Sequence, residues 1–355
     1  MFQETSFNKK IVSKLSKLRD QHFYPCFPLT SPLLQSFVNN FVTDPDVTYV
    51  REIVKLPDGQ IALDWANPLQ KLDHPDIPFK NEYYPYEPEK ERKILFILHG
   101  LTGGSESGYI RSLVDTAAKN GYRCVVMNQR GINQPMLTPK PYHAGSSEDI
   151  EYAIQYIKSK YPDAPMVACG LSMGGNQLFR YFGDVGENTH FLAYASVAMP
   201  FDVDACVDAI ENTVYESALM GYYMKYNVLP HVDVLKKLEE THRVKIQDIF
   251  KSKGLRDYHA KFSVKVYGMK DSDEYFKSTL VKDHHIEGIK IPTLVLHAKD
   301  DPICVHHANP IEKLQQNPNI IYAETTHGAH LCWLTGILPT RVSNFLKFSN
   351  LLVVC

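Results

Sequence analysis

The segment VACGLSMGGN, residues 167–176, sets Ser172 between two glycines, behind a short apolar run and ahead of a helix-compatible stretch. Gly170-Leu171-Ser172-Met173-Gly174 fits G-x-S-x-G, the pattern of a serine carried on a sharp strand-to-helix turn. Small residues at 170 and 174 let such a turn pass close to its neighbours. A helix beginning near Met173 then aims partial positive charge at any oxyanion formed beside it. The chemistry this suits is attack of a hydroxyl on a carbonyl carbon. The alternative is an ordinary Gly-Ser turn, which the strand-helix context and the partners below disfavour.

A serine hydroxyl is a weak nucleophile at neutral pH, so this reading requires a base and an acid that orients it. HAKDDPICV, after an apolar run at 293–298, offers Asp300 and Asp301; ETTHGAHLCW, after another at 320–324, offers His327 and His330. Asp301 is favoured because the Asp-Pro-Ile-Cys-Val stretch turns the chain away from the sheet, leaving Asp300 as a turn residue. His330 is favoured because Gly328 and Ala329 permit close approach. Donors for the developing oxyanion are expected from the backbone N–H of Leu101, in the glycine-rich LHGLTGGS, and of Met173. As a phosphate loop those glycines fail, since neither G-K-[ST] nor a helix-opening G-x-G-x-x-G is present. The histidine pairs at 284–285 and 306–307 and His327-x-x-His330 have no carboxylate or cysteine at a recognised ligand spacing, so neither metal nor cofactor is expected.

Positioning such a site takes a sheet with strands covered on both faces. Short, continuously apolar runs at 93–98, 124–128, 166–169, 191–197, 293–298 and 320–324 alternate with helical patterns such as 109–120 and 147–160. That rhythm predicts an α/β fold with a mostly parallel sheet. VTYVREIVKLPDGQIALDWANP alternates on both sides of Pro57-Asp58-Gly59, a hairpin signal, and 67–92 reads as a surface connection. From 200 to 290 the strand rhythm gives way to helical patterns, an inserted cap. The expected division is an entry segment over 1–47, a core over 48–199 and 291–355, and the cap over 200–290.

The chain has 355 residues, 44% of them hydrophobic, and a formal charge of −2. Such a balance offers no basic field for a nucleic acid backbone. No apolar run reaches the roughly 18 residues of a membrane span, and MFQETSFNKKIVSKLSKLRD lacks the apolar centre of a secretory signal. Seven scattered cysteines without a C-x-x-C pair point to a reducing compartment, the cytoplasm. Residues 9–19 carry five basic side chains with Ile11, Leu15 and Leu18 at helical spacing. This segment reads either as a solvated surface helix or as a peripheral contact with anionic lipid.

Nearly end to end, the chain resembles the α/β-hydrolases of the type-four AB-hydrolase family, a group of esterases and lipases. The resemblance is carried by SPLLQS at 31–36, LPDGQIALDW, HGLTGGSESGYIRSL, GYRCVVMNQRG, GLSMGGN, MPFD at 199–202, DEYFKSTL at 273–280 and DDP. It implies a triad of Ser172, Asp301 and His330, with carboxylic esters of fatty acids as substrates. The sequence departs from the family in HGAH, where a second glycine is usual, and in the absence of the N-terminal membrane anchor of many relatives. Tyr215, Met220, Tyr222, Tyr223, Met224 and Tyr226 are candidates to line an acyl channel, against simple packing within the cap. A thioesterase or a non-catalytic lipid-binding protein on the same fold is the alternative reading.

Overall fold

In ILFIL, residues 94–98, every side chain is buried, and alternate residues serve opposite faces of one sheet. Ile94, Phe96 and Leu98 join Ile150, Ile154, Leu178 and Phe179 in one apolar cluster; Leu95 and Ile97 join Ile110, Leu113 and Val114 in another. A strand with two covered faces needs helices on both sides, and the chain supplies them in alternation. The computed structural model describes residues 44–66 and 92–335, together with Asn8, Lys9, Ser13, Ser31, Pro32, Leu34, Gln35, Val42 and Thr340–Arg341. Most of the entry segment, the connection over 67–91 and all but Lys9 among the basic residues of 9–19 lie outside these residues.

The hairpin forms where its turn signal stands: β1 (Tyr49–Leu56) pairs antiparallel with β2 (Gly59–Ala66), Leu56 opposite Gly59. The core then runs β3 (Ile94–Leu98), α1 (Gly108–Lys119), β4 (Arg123–Asn128), α2 (Glu148–Lys160), β5 (Met166–Leu171), α3 (Met173–Val185) and β6 (Phe191–Val197). The strand order of the eight-stranded sheet is β1-β2-β4-β3-β5-β6-β7-β8, parallel from β4 onward. Strand β5 therefore stands in the middle, and its carboxyl end opens beside those of β3 and β6.

Between β6 and β7 the chain is helical, with α4 (Val203–Ile210), α5 (Val214–Tyr223), α6 (Leu255–Lys261), α7 (Ser272–Thr279) and α8 (Asp283–Gly288) joined by shorter turns. Asp202 caps α4 by accepting the Ala205 N–H at 3.1 Å, and Thr213 caps α5. The apolar centre of this segment, with Val207, Tyr223, Tyr258 and Phe276, also takes in Met173 and Tyr142 from the core. Helix α8 differs from the rest of the expected cap: it packs against α3, and its Ile286 belongs to the core cluster. Strand β7 (Thr293–Ala298), α9 (Ile311–Gln316) and β8 (Ile320–Thr325) complete the sheet. Among the described residues no helix is long and apolar enough to cross a membrane.

One buried carboxylate ties the hairpin to the loop that follows β3. Asp64 has no exposed surface. Its Oδ1 accepts the Arg51 Nε–H at 2.7 Å, while Oδ2 accepts Arg51 Nη2–H (2.7 Å), Ser105 Oγ–H (2.6 Å) and Asn128 Nδ2–H (2.7 Å). Asn128 Oδ1 takes the Ser105 N–H at 2.9 Å, and Tyr49 donates its hydroxyl to the Ser105 carbonyl. An ionised carboxylate is tolerated there because both oxygens are filled by donors.

Two measurements test this framework. Asp64→Ala leaves the buried Ser105 Oγ–H and Asn128 Nδ2–H donors without their acceptor, so urea unfolding should show a loss of about 2 kcal/mol; a change below about 0.5 kcal/mol would contradict the role of the network. Burial also depresses three ring pKa values, holding His99 to about 4, His259 to about 3 and His297 to about 4. In the unfolded chain these rings protonate near 6.5, so below that pH the unfolded state binds more protons than the native state. The stability present above pH 6.5 is therefore lost as pH falls toward 4. Between pH 7.5 and 5.5 the expected loss is roughly 1.4 kcal/mol for each ring, and a flat unfolding profile across that interval would refute neutral burial.

Candidate active site

Ser172 joins β5 to α3 with φ 51° and ψ −124°, a left-handed conformation that a residue with a side chain adopts only under constraint. The constraint comes from both sides. The Ser172 N–H donates to the Val197 carbonyl of β6 at 2.9 Å, and its own carbonyl accepts the N–H groups of Gly175 and Asn176. A Cβ at Gly174 would stand 2.3 Å from the Leu98 carbonyl oxygen and 2.4 Å from that of His99; one at Gly170 would meet the Gly175 Cα at 2.6 Å. Only glycine allows the turn to press this closely against β3 and against the helix it opens.

The hydroxyl so presented meets the two residues favoured by the sequence. His330 Nε2 lies 3.0 Å from Ser172 Oγ, and His330 Nδ1 lies 2.9 Å from Asp301 Oδ2. A carboxylate oxygen only accepts, so Nδ1 carries the ring proton and Nε2 presents its lone pair to the serine. The Asp301 side chain is fully buried, with Oδ1 accepting the N–H groups of Ile303 and Cys304 at 2.9 Å each. Asp-Pro-Ile-Cys thus folds back onto its own first carboxylate.

Asp300 and His327 are brought together separately. Asp300 Oδ1 accepts the Ala329 N–H at 2.9 Å, and Oδ2 pairs with His327 Nδ1 at 3.3 Å. This clamp fixes the loop just ahead of His330, where Ala329 (φ 45°) and Leu331 (φ 59°) flank the ring in left-handed conformations. Thr325 Oγ1 adds a bond to the His327 carbonyl and accepts the Trp333 indole N–H. The two aspartates divide the work: one meets the imidazole, the other shapes the loop that carries it.

His99, on the oxyanion side, was not singled out by sequence reasoning. Its Nδ1–H donates to the Gly100 carbonyl at 2.7 Å, and Gly103 N–H binds the same oxygen at 3.2 Å. Because the peptide unit is planar and trans, fixing the Gly100 carbonyl fixes the Leu101 N–H on the opposite side. Burial keeps the ring neutral, with a pKa lowered to about 4, and Nε2 accepts the Gln129 N–H at 3.4 Å. Tyr142 holds the next peptide by donating to the Leu101 carbonyl at 2.7 Å, and the Tyr109 hydroxyl accepts the Gly100 N–H. The legible signal was a histidine beside a glycine-rich turn at a strand end.

The acyl-channel candidates separate. Met220 and Tyr223 are buried in the helical segment's own centre, with Tyr215, Leu219, Met224 and Leu101 partly buried against it. Tyr222 and Tyr226 are instead 42% exposed and stack on each other, ring centroids 6.1 Å apart, so they line no interior channel. A helical face shared by six residues always sends some of them outward.

Comparison with known proteins gives this fold a family. A family model for the alpha/beta hydrolase fold matches residues 93–331. The chain is 31% identical to mouse phospholipase ABHD3 over 322 residues, covering 90% of this chain and 75% of that protein. It is 28% identical to the monoacylglycerol lipase of Saccharomyces cerevisiae, covering 81% of this chain and 70% of that one. An acylaminoacyl peptidase solved with a chloromethyl ketone shares the fold at a TM-score of 0.50 and 13% identity, covering 90% of this chain and 42% of that one. The chain belongs to the alpha/beta hydrolase family, as a carboxylic ester hydrolase of the esterase and lipase type.

Proposed function

We propose that the protein hydrolyses fatty acyl esters of lipid alcohols by two-step acyl transfer through Ser172, His330 and Asp301. The observation that carries this reading is the unbroken chain from Ser172 Oγ through His330 to Asp301, with contacts of 3.0 and 2.9 Å, on a left-handed serine turn. As Ser172 Oγ attacks the ester carbonyl, His330 Nε2 takes its proton, and the buried Asp301 carboxylate stabilises the imidazolium. The N–H groups of Leu101 and Met173 receive the oxyanion. His330 then protonates the leaving alcohol, and the cycle runs in reverse with water, or with a second alcohol to give a new ester.

A fatty acyl chain is supported by the surface beside the reacting atoms. Leu101, Tyr215, Leu219 and Met224 are apolar and only partly buried, and they adjoin the cluster that holds Met173. Each CH₂ group moved from water onto such a surface contributes roughly 0.8 kcal/mol. The relatives' printed activities, phospholipase, monoacylglycerol lipase and medium-chain fatty acid ethyl ester synthase/esterase, share an ester of a fatty acid. In this reading the helical segment from α4 to α7 acts as the lid over the acyl site. The enzyme works in the reducing cytoplasm, in peripheral contact with lipid; Cys124, Cys169, Cys206 and Cys304 are free, buried thiols.

Two experiments test the assignment. A fluorophosphonate probe should label the wild type and leave Ser172→Ala unlabelled, and that variant should lose roughly 10³-fold or more in kcat on p-nitrophenyl esters. Labelling that survives in a folded Ser172→Ala protein would move the nucleophile elsewhere, and a rate independent of acyl length from acetate to palmitate would remove the acyl site. His99→Ala frees the Gly100 peptide, so kcat should fall by roughly 10- to 100-fold with KM little changed, because the oxyanion exists only past the ground state. A rise in KM at constant kcat would place His99 in substrate binding instead.

A further inference from the structure

The lid leaves the core after β6 and returns to it after α7, and both of its ends are held by one side chain. Asn176 has no exposed surface and lies in the first turn of α3, one turn beyond Ser172. Its Nδ2 donates to the Pro200 carbonyl at 2.9 Å and to the Thr279 carbonyl at 2.8 Å. Pro200 stands just ahead of Asp202, the cap of α4, and Thr279 is the last residue of α7. Asn176 Oδ1 accepts the Arg180 Nε–H at 3.0 Å, and Arg180 Nη1 donates to the Ser278 carbonyl at 3.1 Å and to that of Gly145 at 2.9 Å. We propose that Asn176 is a positioning residue for the acyl chain: by bridging both ends of the lid it fixes where the lid sits over Ser172, and so sets the preference among acyl lengths. This rests on the reading of α4 to α7 as the lid over the acyl site.

Helix termini explain why α7 calls on these donors. The last four carbonyls of a helix have no partner within it. In α7 the Phe276 carbonyl takes the Thr279 hydroxyl at 2.7 Å, and that of Lys277 takes the Leu280 N–H. The other two, of Ser278 and Thr279, are filled from α3 by Arg180 and Asn176. A guanidinium at the negative end of α7 also suits the helix dipole. Beside them the Val281 N–H donates to the Phe201 carbonyl at 3.0 Å, which ties the outgoing and returning stretches to each other. Asn176 and Arg180 tie them to the helix that Ser172 opens.

Asn176 therefore serves the serine turn and the lid at once. Its backbone N–H donates to the Ser172 carbonyl at 3.2 Å, while its side chain joins the two ends of the lid. The amide is fully used, with its two N–H groups given to the lid and its oxygen to Arg180. It has nothing left for substrate, and it acts through the lid. Truncation at this position leaves two buried carbonyls without donors, and they regain partners only if the stem of the lid shifts. A carboxylate of the same shape has no N–H to give and repels both carbonyls.

The test measures kcat and KM on p-nitrophenyl acetate and decanoate for the wild type, Asn176→Ala and the isosteric Asn176→Asp, with trypsin cleavage of the native proteins as a second readout. Acetate has too few carbons to lie along the lid, so the ratio of kcat/KM on decanoate to that on acetate separates lid placement from the amount of folded enzyme. That ratio should fall by roughly 10-fold or more in both variants, through a higher KM on decanoate, because acyl contacts hold ground state and transition state alike. Trypsin should cut the lid, where Lys225, Lys236 and Lys237 are exposed, several-fold faster than in the wild type while fluorophosphonate labelling of Ser172 persists. If neither Asn176 variant folds, Arg180→Lys carries the same test, since it keeps the charge but not the fork that reaches Ser278 and Asn176; its ratio should fall by roughly 3-fold. An unaltered ratio, or equal losses on the two esters, would overturn the proposal, the second by placing the effect of Asn176 on the serine turn itself. A wild type indifferent to acyl length would instead refute the acyl-site reading, and the cleavage rates would still decide whether Asn176 holds the lid.

Discussion

The left-handed turn at Ser172 is the constraint on which the site's other parts depend. A residue with a side chain held at positive φ costs on the order of 1–3 kcal/mol, and it persists only where its surroundings over-determine it. Here the turn is pinned to β6 through Val197 and to the first turn of α3 through Gly175 and Asn176, while Gly174 sits against the carbonyls of Leu98 and His99. These contacts belong to three adjacent central strands, so the strain is spread over the best-packed part of the sheet. Its effect is to lift the hydroxyl above the carboxyl edge, where the loops leaving β3, β7 and β8 converge on it.

Convergence from separate strands is demanding, and the demand falls unequally. The β3 loop is beside β5 and needs only its peptide planes set, which His99 and Tyr142 accomplish from either side of Leu101. Strand β8 lies at the far edge, beyond β6 and β7. The loop after it must reach back across both, and it does so with two further left-handed residues and the Asp300 clamp. Two buried carboxylates answer related needs. Asp64 is surrounded by donors from the hairpin, the β3 loop and β4, and Asp301 by its own turn and His330. Either charge would be untenable without those donors.

Much of this was legible in the residues. Six apolar runs of strand length, the Pro57-Asp58-Gly59 turn and the glycine spacing around Ser172 are local signals, and local signals survive folding because period and turn chemistry act over a few residues. Asp301 was distinguishable from Asp300 by the direction the following Pro-Ile-Cys-Val imposes, and His330 from His327 by the small residues before it; the structure sets Asp301 and His330 2.9 Å apart. Asp64 was different. It reads as one polar residue in a buried strand, and its partners Ser105 and Asn128 stand 41 and 64 residues away. No period or motif joins such positions; they meet only once the sheet order exists. Tyr222 and Tyr226 illustrate the opposite limit, since composition alone does not separate the inner face of a helix from the outer one.

The helical segment between β6 and β7 is more than a cover, because its apolar centre is continuous with Met173, the residue that opens the nucleophile helix. A displacement of α5 or α6 would therefore alter the packing of the residue that follows Ser172, not merely the access to the serine. Helix α4 makes a second connection on the acid side, where Cys206 meets Cys304 on the turn that surrounds Asp301. The segment thus reaches the site at two points, at Met173 beside Ser172 and at Cys304 on the turn around Asp301, so a change in its packing acts on both sides of the serine hydroxyl.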